Sequence, residues 1–545
     1  MRNTIAGIVV CLQIFAQTGT GQHVPARHNS LHLAPAENLP KRFLDANRIK
    51  VVVNNRGFLN DGHPEIGAFI ARNWDARDST YHEIIYDQGP WIVGKLRDQV
   101  GGAASLWGSS FAPGPIIDDK PALMVHPEDA WRYHPYKITT GQDPSDSDYV
   151  RWPVDLGAPI DADGEPRILG NQSVWCVYNG GDSTVFPPGL SSAPFGHPLV
   201  EVQQMAFART GSYSDTSLLA NVVFFEWTFI NKGTIPIDSC YLGFWTDVDF
   251  GNVLSNVPAI DTVAQTGYCW WKGTDTNDEQ QYAVGHTLLY GPITPDATGD
   301  AIFRGRRRSG FRNLPLSTFW GITEAYPVDT LYVQYPSRFD MAWNFARGLN
   351  RSGHPITNPR TGEQTHFPYS GDPATGTGWT FDYSGYTGAE AGYMLFSGPF
   401  TFAPADTQWM MIALLPVDMN DFRESIRTLR GRASRLRALP YDSIAKPSPY
   451  TPYQPYVPAK TSLFQNFPNP FNGTTTINYE ISERSQVRLV VYDILGREVR
   501  TVVQAEQPPG RYAIRLNADG LASGVYFIRL GTSTLATTRK MIVVR

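Results

Sequence analysis

Leu218–Asn231 reads LLANVVFFEWTFIN, a stretch dominated by β-branched and aromatic residues. Such residues favour extended strands over helices. Two further β-favouring segments follow, Tyr241–Phe250 and Val263–Trp271, and Met410–Leu415 has the composition of a buried strand. The sequence therefore predicts that the centre of the chain is a body built from strands.

The composition agrees with that prediction. The chain has 545 residues, of which 12% are aromatic, 49 are Gly and 42 are Pro, which is typical of strands joined by turns and ordered loops. We expect an all-β fold with a large multi-sheet or sandwich body. The formal net charge is −5 and only 18% of the residues are charged, so we expect no nucleic-acid partner.

The two ends of the body have recognisable boundaries. Residues 1–22 combine a charged start with the apolar run Ile5–Ala16, which is typical of a signal peptide and too short for a transmembrane helix. The body is predicted over 23–439, and 48–165 and 166–439 are its possible subdomains. We expect no transmembrane helix in the chain.

A helix and a linker separate the body from a tail. Asn420–Leu439 has apolar residues at helical spacing and ends at Pro440. The Pro- and Tyr-rich segment 440–461 is predicted to be an extended linker. The tail, 462–545, alternates apolar and polar residues in short runs, which predicts a small immunoglobulin-like β-sandwich. Its first segment, Asn466–Phe471, contains two prolines and should lie extended along a sheet edge.

Four blocks of the tail occur in a recognisable order: NFPNPFN, VYDILGREV, LASGVYFIRL and the terminal KMIVVR. Over Phe464–Arg545 they resemble the type A C-terminal sorting domain of the type IX secretion system. The resemblance implies export through the periplasm to the outer-membrane surface or the medium. The implied partners are the outer-membrane translocon and its C-terminal signal peptidase. The positions implied for the sorting motif are Asn466, Pro468, Asn469, Pro470, Phe471, Asp493, Gly496, Gly524, Tyr526 and Lys540.

The body also resembles uncharacterised exported proteins that carry the same kind of tail. The blocks that carry this resemblance include SVWCVYNGGD at 173–182 and YLGFWTDVDFG at 241–251. These relatives bring no known activity. The sequence contains no G-x-S-x-G, H-E-x-x-H or phosphate-loop pattern, so we predict no catalytic residue. We therefore expect a structural, adhesive or glycan-binding body, with surface polysaccharide as a possible partner.

The alternative is a secreted carbohydrate-active hydrolase. Such enzymes need two carboxylates that face each other across the sugar. Glu226, Asp247 and Asp249 lie in aromatic strands and are the candidates.

Two binding sites and one disulfide are further hypotheses. Asp247, Asp249 and Asp261 could supply oxygen ligands to a structural calcium ion, the one cofactor that we consider. Aromatic side chains could stack on a glycan, and the candidates are Trp245, Trp271 and Trp379. Three cysteines remain beyond the signal segment, Cys176, Cys240 and Cys269, and we prefer the pair Cys240–Cys269. Three buried thiols are the alternative.

Overall fold

The computed structural model describes most of the chain after residue 39. The described ranges are 40–59, 68–71, 81–106, 108–185, 198–211, 217–250, 255–271, 281–323, 336–381, 391–419, 421–448, 460–466, 468–507, 510–532 and 535–544. The predicted signal segment, 1–22, lies outside these ranges.

Strands dominate the described residues. They are β1 (Lys41–Leu44), β2 (Ile49–Asn54), β3 (Ala68–Ala71), β4 (Tyr81–Ile85), β5 (Asp87–Leu96), β6 (Gln99–Ala104), β7 (Ala112–Pro113), β8 (Ile116–Ile117), β9 (Lys120–Pro121), β10 (Tyr136–Thr139), β11 (Gln172–Asn179), β12 (Val200–Ala208), β13 (Val223–Asn231), β14 (Ile237–Val248), β15 (Asn256–Asp261), β16 (Thr266–Trp271), β17 (Gln281–Tyr290), β18 (Ile293–Phe303), β19 (Arg306–Asn313), β20 (Leu316–Thr323), β21 (Ala391–Phe402), β22 (Thr407–Met419), β23 (Ser462–Leu463), β24 (Thr474–Ile481), β25 (Ser485–Tyr492), β26 (Glu498–Gln507), β27 (Gly510–Asn517), β28 (Gly524–Gly531) and β29 (Ala536–Val543). The α-helices are α1 (Ala122–Val125), α2 (Ser147–Val150), α3 (Phe339–Ala346), α4 (Phe422–Arg437) and α5 (Tyr441–Ala445), and 3₁₀-helices span Pro127–Arg132, Val154–Leu156 and Leu218–Asn221. The predicted all-β class is confirmed.

Two large antiparallel sheets form the body. The main sheet has the order β10-β11-β12-β13-β22-β17-β16-β15, with β7 added beside β11. The second sheet has the order β20-β21-β14-β5-β6. A smaller sheet, β1-β2-β3-β4, precedes them in the chain.

Strand β13 shows how the two large sheets pack. Phe225 and Trp227 point to the inner face, where the Trp227 ring lies 5.6 Å from the ring of Phe244 on β14. Their neighbour Phe224 points to the opposite face and belongs to a second apolar cluster. Because successive side chains of a strand alternate, this strand is buried on both faces and reads as a continuous apolar run. Strand β13 begins at Val223 rather than at the predicted Leu218, because Leu218–Asn221 is a 3₁₀-helix.

The second cluster covers the outer face of the main sheet. Phe224 packs there with Trp409 of β22, Leu436 of α4 and Ile444 of α5, and all four are buried. Helix α5 therefore belongs to the body, although the sequence places it in a linker that starts at Pro440. The proline-rich composition does not predict this packing, because the partners of the buried Tyr441, Ile444 and Ala445 lie on distant strands.

The two longest helices, α4 and α3, pack on different sheets: α4 on the main sheet and α3 on the second sheet. Helix α4 confirms the predicted helix, and its N-cap Asp421 accepts a hydrogen bond from the Arg423 amide at 3.0 Å. Helix α3, which the sequence pattern does not indicate, packs on the second sheet, where the Phe345 ring lies 4.6 Å from that of Trp320. Within the described ranges, no helix is long and apolar enough to cross a membrane.

The three cysteines are free and buried, so the preferred disulfide Cys240–Cys269 is not formed. Cys240 lies on β14 of the second sheet and Cys269 on β16 of the main sheet, and each packs as an apolar side chain. Burial raises the pKa of all three thiols, which keeps them protonated and unreactive.

A buried histidine joins the two large sheets. The His286 imidazole on β17 is 2.7 Å from Gln88 Oε1 through Nε2 and 2.6 Å from the Tyr393 hydroxyl through Nδ1. Because the Gln88 oxygen accepts, Nε2 carries the proton and Nδ1 accepts from Tyr393. Burial lowers the pKa of His286 to about 3. The neutral ring thus has both nitrogens bonded across the sheet interface.

This pKa predicts acid sensitivity. The folded-state pKa lies below the ordinary value of about 6.5, so the unfolded chain binds the proton first. The contribution of His286 to stability is complete above about pH 6.5 and is lost as the pH falls towards about 3. We expect His286→Gln to reduce the loss of unfolding free energy between about pH 7 and about pH 4.5, measured by urea denaturation.

His354→Gln is the matched control, since His354 is exposed, and it should leave the pH profile unchanged. An equally steep loss in His286→Gln and in the parent protein would contradict the prediction.

Candidate functional site

The tail is a two-sheet sandwich. Strands β23-β24-β27 form one sheet and β26-β25-β28-β29 the other. Their inner faces share one apolar core, to which the first sheet contributes Ile477 and Tyr479 and the second contributes Leu489, Ile528 and Met541. The alternation read from the sequence fixes which side chains point inward.

The two ends of the tail pair with each other. Phe471 donates its amide to Ile542 O at 3.1 Å, and Val544 donates its amide to Phe471 O at 2.9 Å. Phe471 thus forms a parallel bridge with Val543 of the last strand, and its ring is buried in the tail core. The extended entry along a sheet edge agrees with the sequence prediction.

Asparagine side chains reinforce this pairing. Asn469 Oδ1 accepts from the Ile542 amide at 2.8 Å, and Asn469 Nδ2 donates to Lys540 O at 3.2 Å. The buried Asn466 donates to the Thr475 hydroxyl at 2.9 Å, which in turn donates to Pro468 O at 2.8 Å. Pro470 lies between these contacts and removes one backbone donor from the segment. The first and last sequence blocks are therefore one structural unit.

The VYDILGREV block forms a tight turn. Asp493 Oδ1 accepts from the amides of Leu495 at 2.9 Å and Arg497 at 3.0 Å, while the Arg497 guanidinium donates to Oδ2 at 2.7 Å. The backbone bond from Arg497 is the largest cause that lowers the pKa of Asp493. Gly496 has φ of 75°, a left-handed conformation that glycine adopts without strain. Asp493 and Gly496 thus set the turn, and Leu495 remains 71% exposed at its tip.

The third block enters β28 at Gly524, and the strand divides its side chains between two faces. Tyr526 points inward, and its hydroxyl donates to Ala522 O at 3.0 Å. Phe527 points outward and is 37% exposed. It stands in register between Tyr492 of β25 and Lys540 of β29. We call Tyr492, Phe527 and Lys540 the outer row of the tail.

The three candidate glycan-binding tryptophans are all buried. Trp245 is 0%, Trp271 3% and Trp379 7% exposed, and each belongs to the main core. Trp379 packs edge-on against Tyr369 with ring centroids 5.3 Å apart. A sugar-stacking platform needs an open ring face, which these residues do not offer in this conformation.

The candidate calcium ligands are not brought together. Asp247 lies near the end of β14 in the second sheet and Asp249 just after that strand, whereas Asp261 ends β15 in the main sheet. Arg430 Nε of α4 forms an ion pair with Asp261 Oδ2 at 2.5 Å. Asp261 Oδ1 also accepts a hydrogen bond from the Val263 amide at 3.0 Å. Among the described residues, no group of three or more His, Cys, Asp or Glu side chains could hold a metal ion.

Of the three candidate catalytic carboxylates, Glu226 lies apart from Asp247, while Asp247 and Asp249 both act electrostatically on Tyr86. On β13, Glu226 alternates with the inward Phe225 and Trp227, so it points to the outer face of the main sheet. On β14, Phe244 points inward, and Thr246, two residues later, lies on the same face. Asp247 is the next residue and therefore points to the outer face of the second sheet. Two stacked sheets, about 10 Å apart, separate the two carboxylates, and a facing pair is not formed.

Glu226 instead lies on the floor of a small cavity. The cavity has a volume of about 40 Å³, and its polar walls are Arg167, Arg304, Tyr441, Gln203 and Thr228. Burial raises the pKa of Glu226 to about 7, against the opposing effects of Tyr441, Arg167 and Arg304. The sequence singles out Glu226 but not Arg167, Arg304 or Tyr441, since these three come from distant segments and follow no local pattern.

Comparison with known families gives a match in the tail. Residues 465–544 match the family described as the secretion system C-terminal sorting domain. No curated protein matches the chain.

Two solved structures show a weak likeness. A polysaccharide lyase is 9% identical with a TM-score of 0.17, over 68% of this chain and 39% of the lyase, so this chain spans less than half of that protein. PorZ of Porphyromonas gingivalis, described as an essential surface component of the type IX secretion system, is 9% identical with a TM-score of 0.13, over 93% of this chain and 74% of PorZ. Neither likeness supports a statement about activity. The family match stands apart from them, and the tail of this chain is a C-terminal sorting domain of the type IX secretion system.

Proposed function

We propose that this chain is a cargo protein of the type IX secretion system and that its body serves a structural or adhesive role at the cell surface. The sorting domain indicates an exported protein, either secreted or displayed on the surface. The observation that carries the proposal is the pairing of Phe471 with the last strand, because it joins the first and last sorting blocks into one folded unit.

The outer row is the part of the tail that we assign to recognition by the export machinery. Tyr526 and Met541 are buried in the tail core, whereas their neighbours Phe527 and Lys540 are accessible to solvent. An exposed aromatic ring next to a cation supplies both apolar area and charge to a partner surface. The translocon and the C-terminal signal peptidase are the proposed partners, and surface polysaccharide is a proposed attachment point.

We propose a non-hydrolytic body, and the positions of two candidate carboxylates and three tryptophans support this proposal. Glu226 and Asp247 lie on opposite outer faces of the stacked sheets, and the candidate sugar-stacking residues Trp245, Trp271 and Trp379 are buried. Retaining and inverting glycosidases both need carboxylates within about 10 Å that share one cleft. We therefore favour a structural or adhesive body over a carbohydrate-active hydrolase.

Removal of the tail tests the export proposal. Deletion of 462–545 should abolish surface delivery, because the recognised unit is lost, while the body retains its own two-sheet core. Surface exposure is measured with antibody on intact cells, and folding of the truncated protein by its thermal transition. Surface delivery of a folded, truncated protein would overturn the proposal.

Asn469→Ala tests the pairing of the two tail ends. The substitution removes both side-chain bonds to the last strand and should lower the stability of the tail by about 1–3 kcal/mol. Hydrogen exchange of the Ile542 amide in the full chain should accelerate by at least about tenfold. Asn472→Ala, at an exposed position nearby, is the matched control and should leave that exchange rate unchanged. Equal rates in the two variants would contradict the role of Asn469.

Phe527→Ser separates recognition from folding. The outward ring contributes little to the tail core, so the variant should keep its thermal transition within a few degrees but reach the surface at less than about a third of the parent level. Leu535→Ser removes an apolar side chain of similar exposure, 40%, from the β28–β29 turn and should be exported normally. Normal export of Phe527→Ser would remove the outer row from the recognition surface.

A further inference from the structure

The Glu226 cavity is built from four separate parts of the body. Its floor is the outer face of the main sheet, where Trp175, Met205 and Glu226 stand in register on β11, β12 and β13. Arg167 enters from the segment before β11, Arg304 from the β18–β19 turn and Tyr441 from α5. The walls therefore combine an indole and a thioether with two guanidinium groups and a hydroxyl.

The turn that carries Arg304 is held in place by a close contact. Arg304 and Gly305 have φ of 49° and 75°, the left-handed pair of a tight two-residue hairpin. A Cβ on Gly305 would lie 2.3 Å from the Tyr441 ring, so only glycine lets the turn lie this close to α5. The hairpin tip thus places the Arg304 guanidinium beside the cavity, above Glu226.

Glu226 contributes a buried carboxyl group to the floor of this cavity. It is 9% exposed, and its Oε1 has no hydrogen-bond partner within the described part of the chain. The Tyr441 hydroxyl and the Trp409 indole N–H both act as donors towards this carboxyl group and lower its pKa. Burial of an unbonded carboxyl oxygen is unfavourable unless a partner occupies the space beside it.

The charges around the cavity are unbalanced. Arg167 and Arg304 both act on Glu226 electrostatically, yet neither forms an ion pair with it among the residues described. Two arginines line the cavity, and no carboxylate of the described residues lies within ion-pair distance of them. Such guanidinium groups are suited to an oxyanion, which accepts their forked hydrogen bonds.

We propose that this cavity binds a small oxyanion group, a carboxylate or a phosphate, between Arg167 and Arg304, with the Glu226 carboxyl group as a hydrogen-bond donor when it is protonated. The apolar walls, Trp175 and Met205, would pack against the carbon part of such a ligand. This site is independent of the sorting domain, so the two proposals can fail separately.

Binding should depend on pH because Glu226 donates only when it is protonated. Burial places the pKa of Glu226 at about 7. The titratable groups that face Glu226 are Arg167, Arg304 and Tyr441. The charges of Glu226 and Asp442 also act on Tyr290 of β17. The protonated fraction falls about tenfold between about pH 6 and about pH 8, and affinity should fall with it.

Isothermal titration of the full chain with three probes tests the site. Acetate keeps a single charge over this pH range, inorganic phosphate represents the second source of oxyanion, and acetamide is a neutral counterpart of acetate. We expect acetate or phosphate to bind at about pH 6 with a millimolar or lower Kd, and acetamide not to bind. The stronger of the two anions identifies the ligand class. Failure of both anions to bind, or equal binding of acetamide, would overturn the proposal.

Variants then locate the binding site. Arg304→Gln should weaken binding at least about tenfold, whereas Arg306→Gln, exposed on the same hairpin but outside the cavity, should not. Glu226→Gln keeps a hydrogen-bond donor without titrating, so acetate binding should persist and lose its dependence on pH. Equal effects of the two arginine substitutions, or an unchanged pH dependence in Glu226→Gln, would contradict the assignment.

Discussion

Alternation of side chains along β13 is the constraint on which the body depends. Phe225 and Trp227 fill the space between the two large sheets, and Phe224 and Glu226 must then face the opposite way. One choice of register therefore sets three things: the inter-sheet core, the second apolar cluster and the position of the buried carboxyl. A shift by one residue would bury Glu226 among the aromatic rings of the inner face, at a large cost in free energy.

The same alternation has a different result in the tail, where only one face of each sheet is covered. Tyr526 and Ile528 enter the core while Phe527 between them stays accessible. If the outer row is the recognition surface that we propose, structural and recognition demands are met by adjacent residues of one strand. The block that contains them could then be a folding element and an export signal without conflict between the two.

Sequence patterns predict what depends on neighbours along the chain. The strand at β13, helix α4 with its cap at Asp421, and the Asp493–Gly496 turn all follow from local composition and spacing. The failures involve contacts between distant segments. The sequence predicts a linker at helix α5 because Tyr441 and Ile444 gain their apolar partners only in the folded body. The cavity around Glu226 is not predicted because Arg304 comes from a hairpin far along the chain.

The two buried titratable groups of the main sheet show why one is structural and the other is a candidate for binding. Both His286 nitrogens have protein partners on the second sheet, so the ring gains nothing from a ligand and its pKa falls to about 3. Glu226 is 9% exposed, its Oε1 has no hydrogen-bond partner among the described residues, and its side chain lines a cavity with two arginines. Hydrogen bonding is the difference: a satisfied group holds two sheets together, whereas an unsatisfied one retains the capacity to bind.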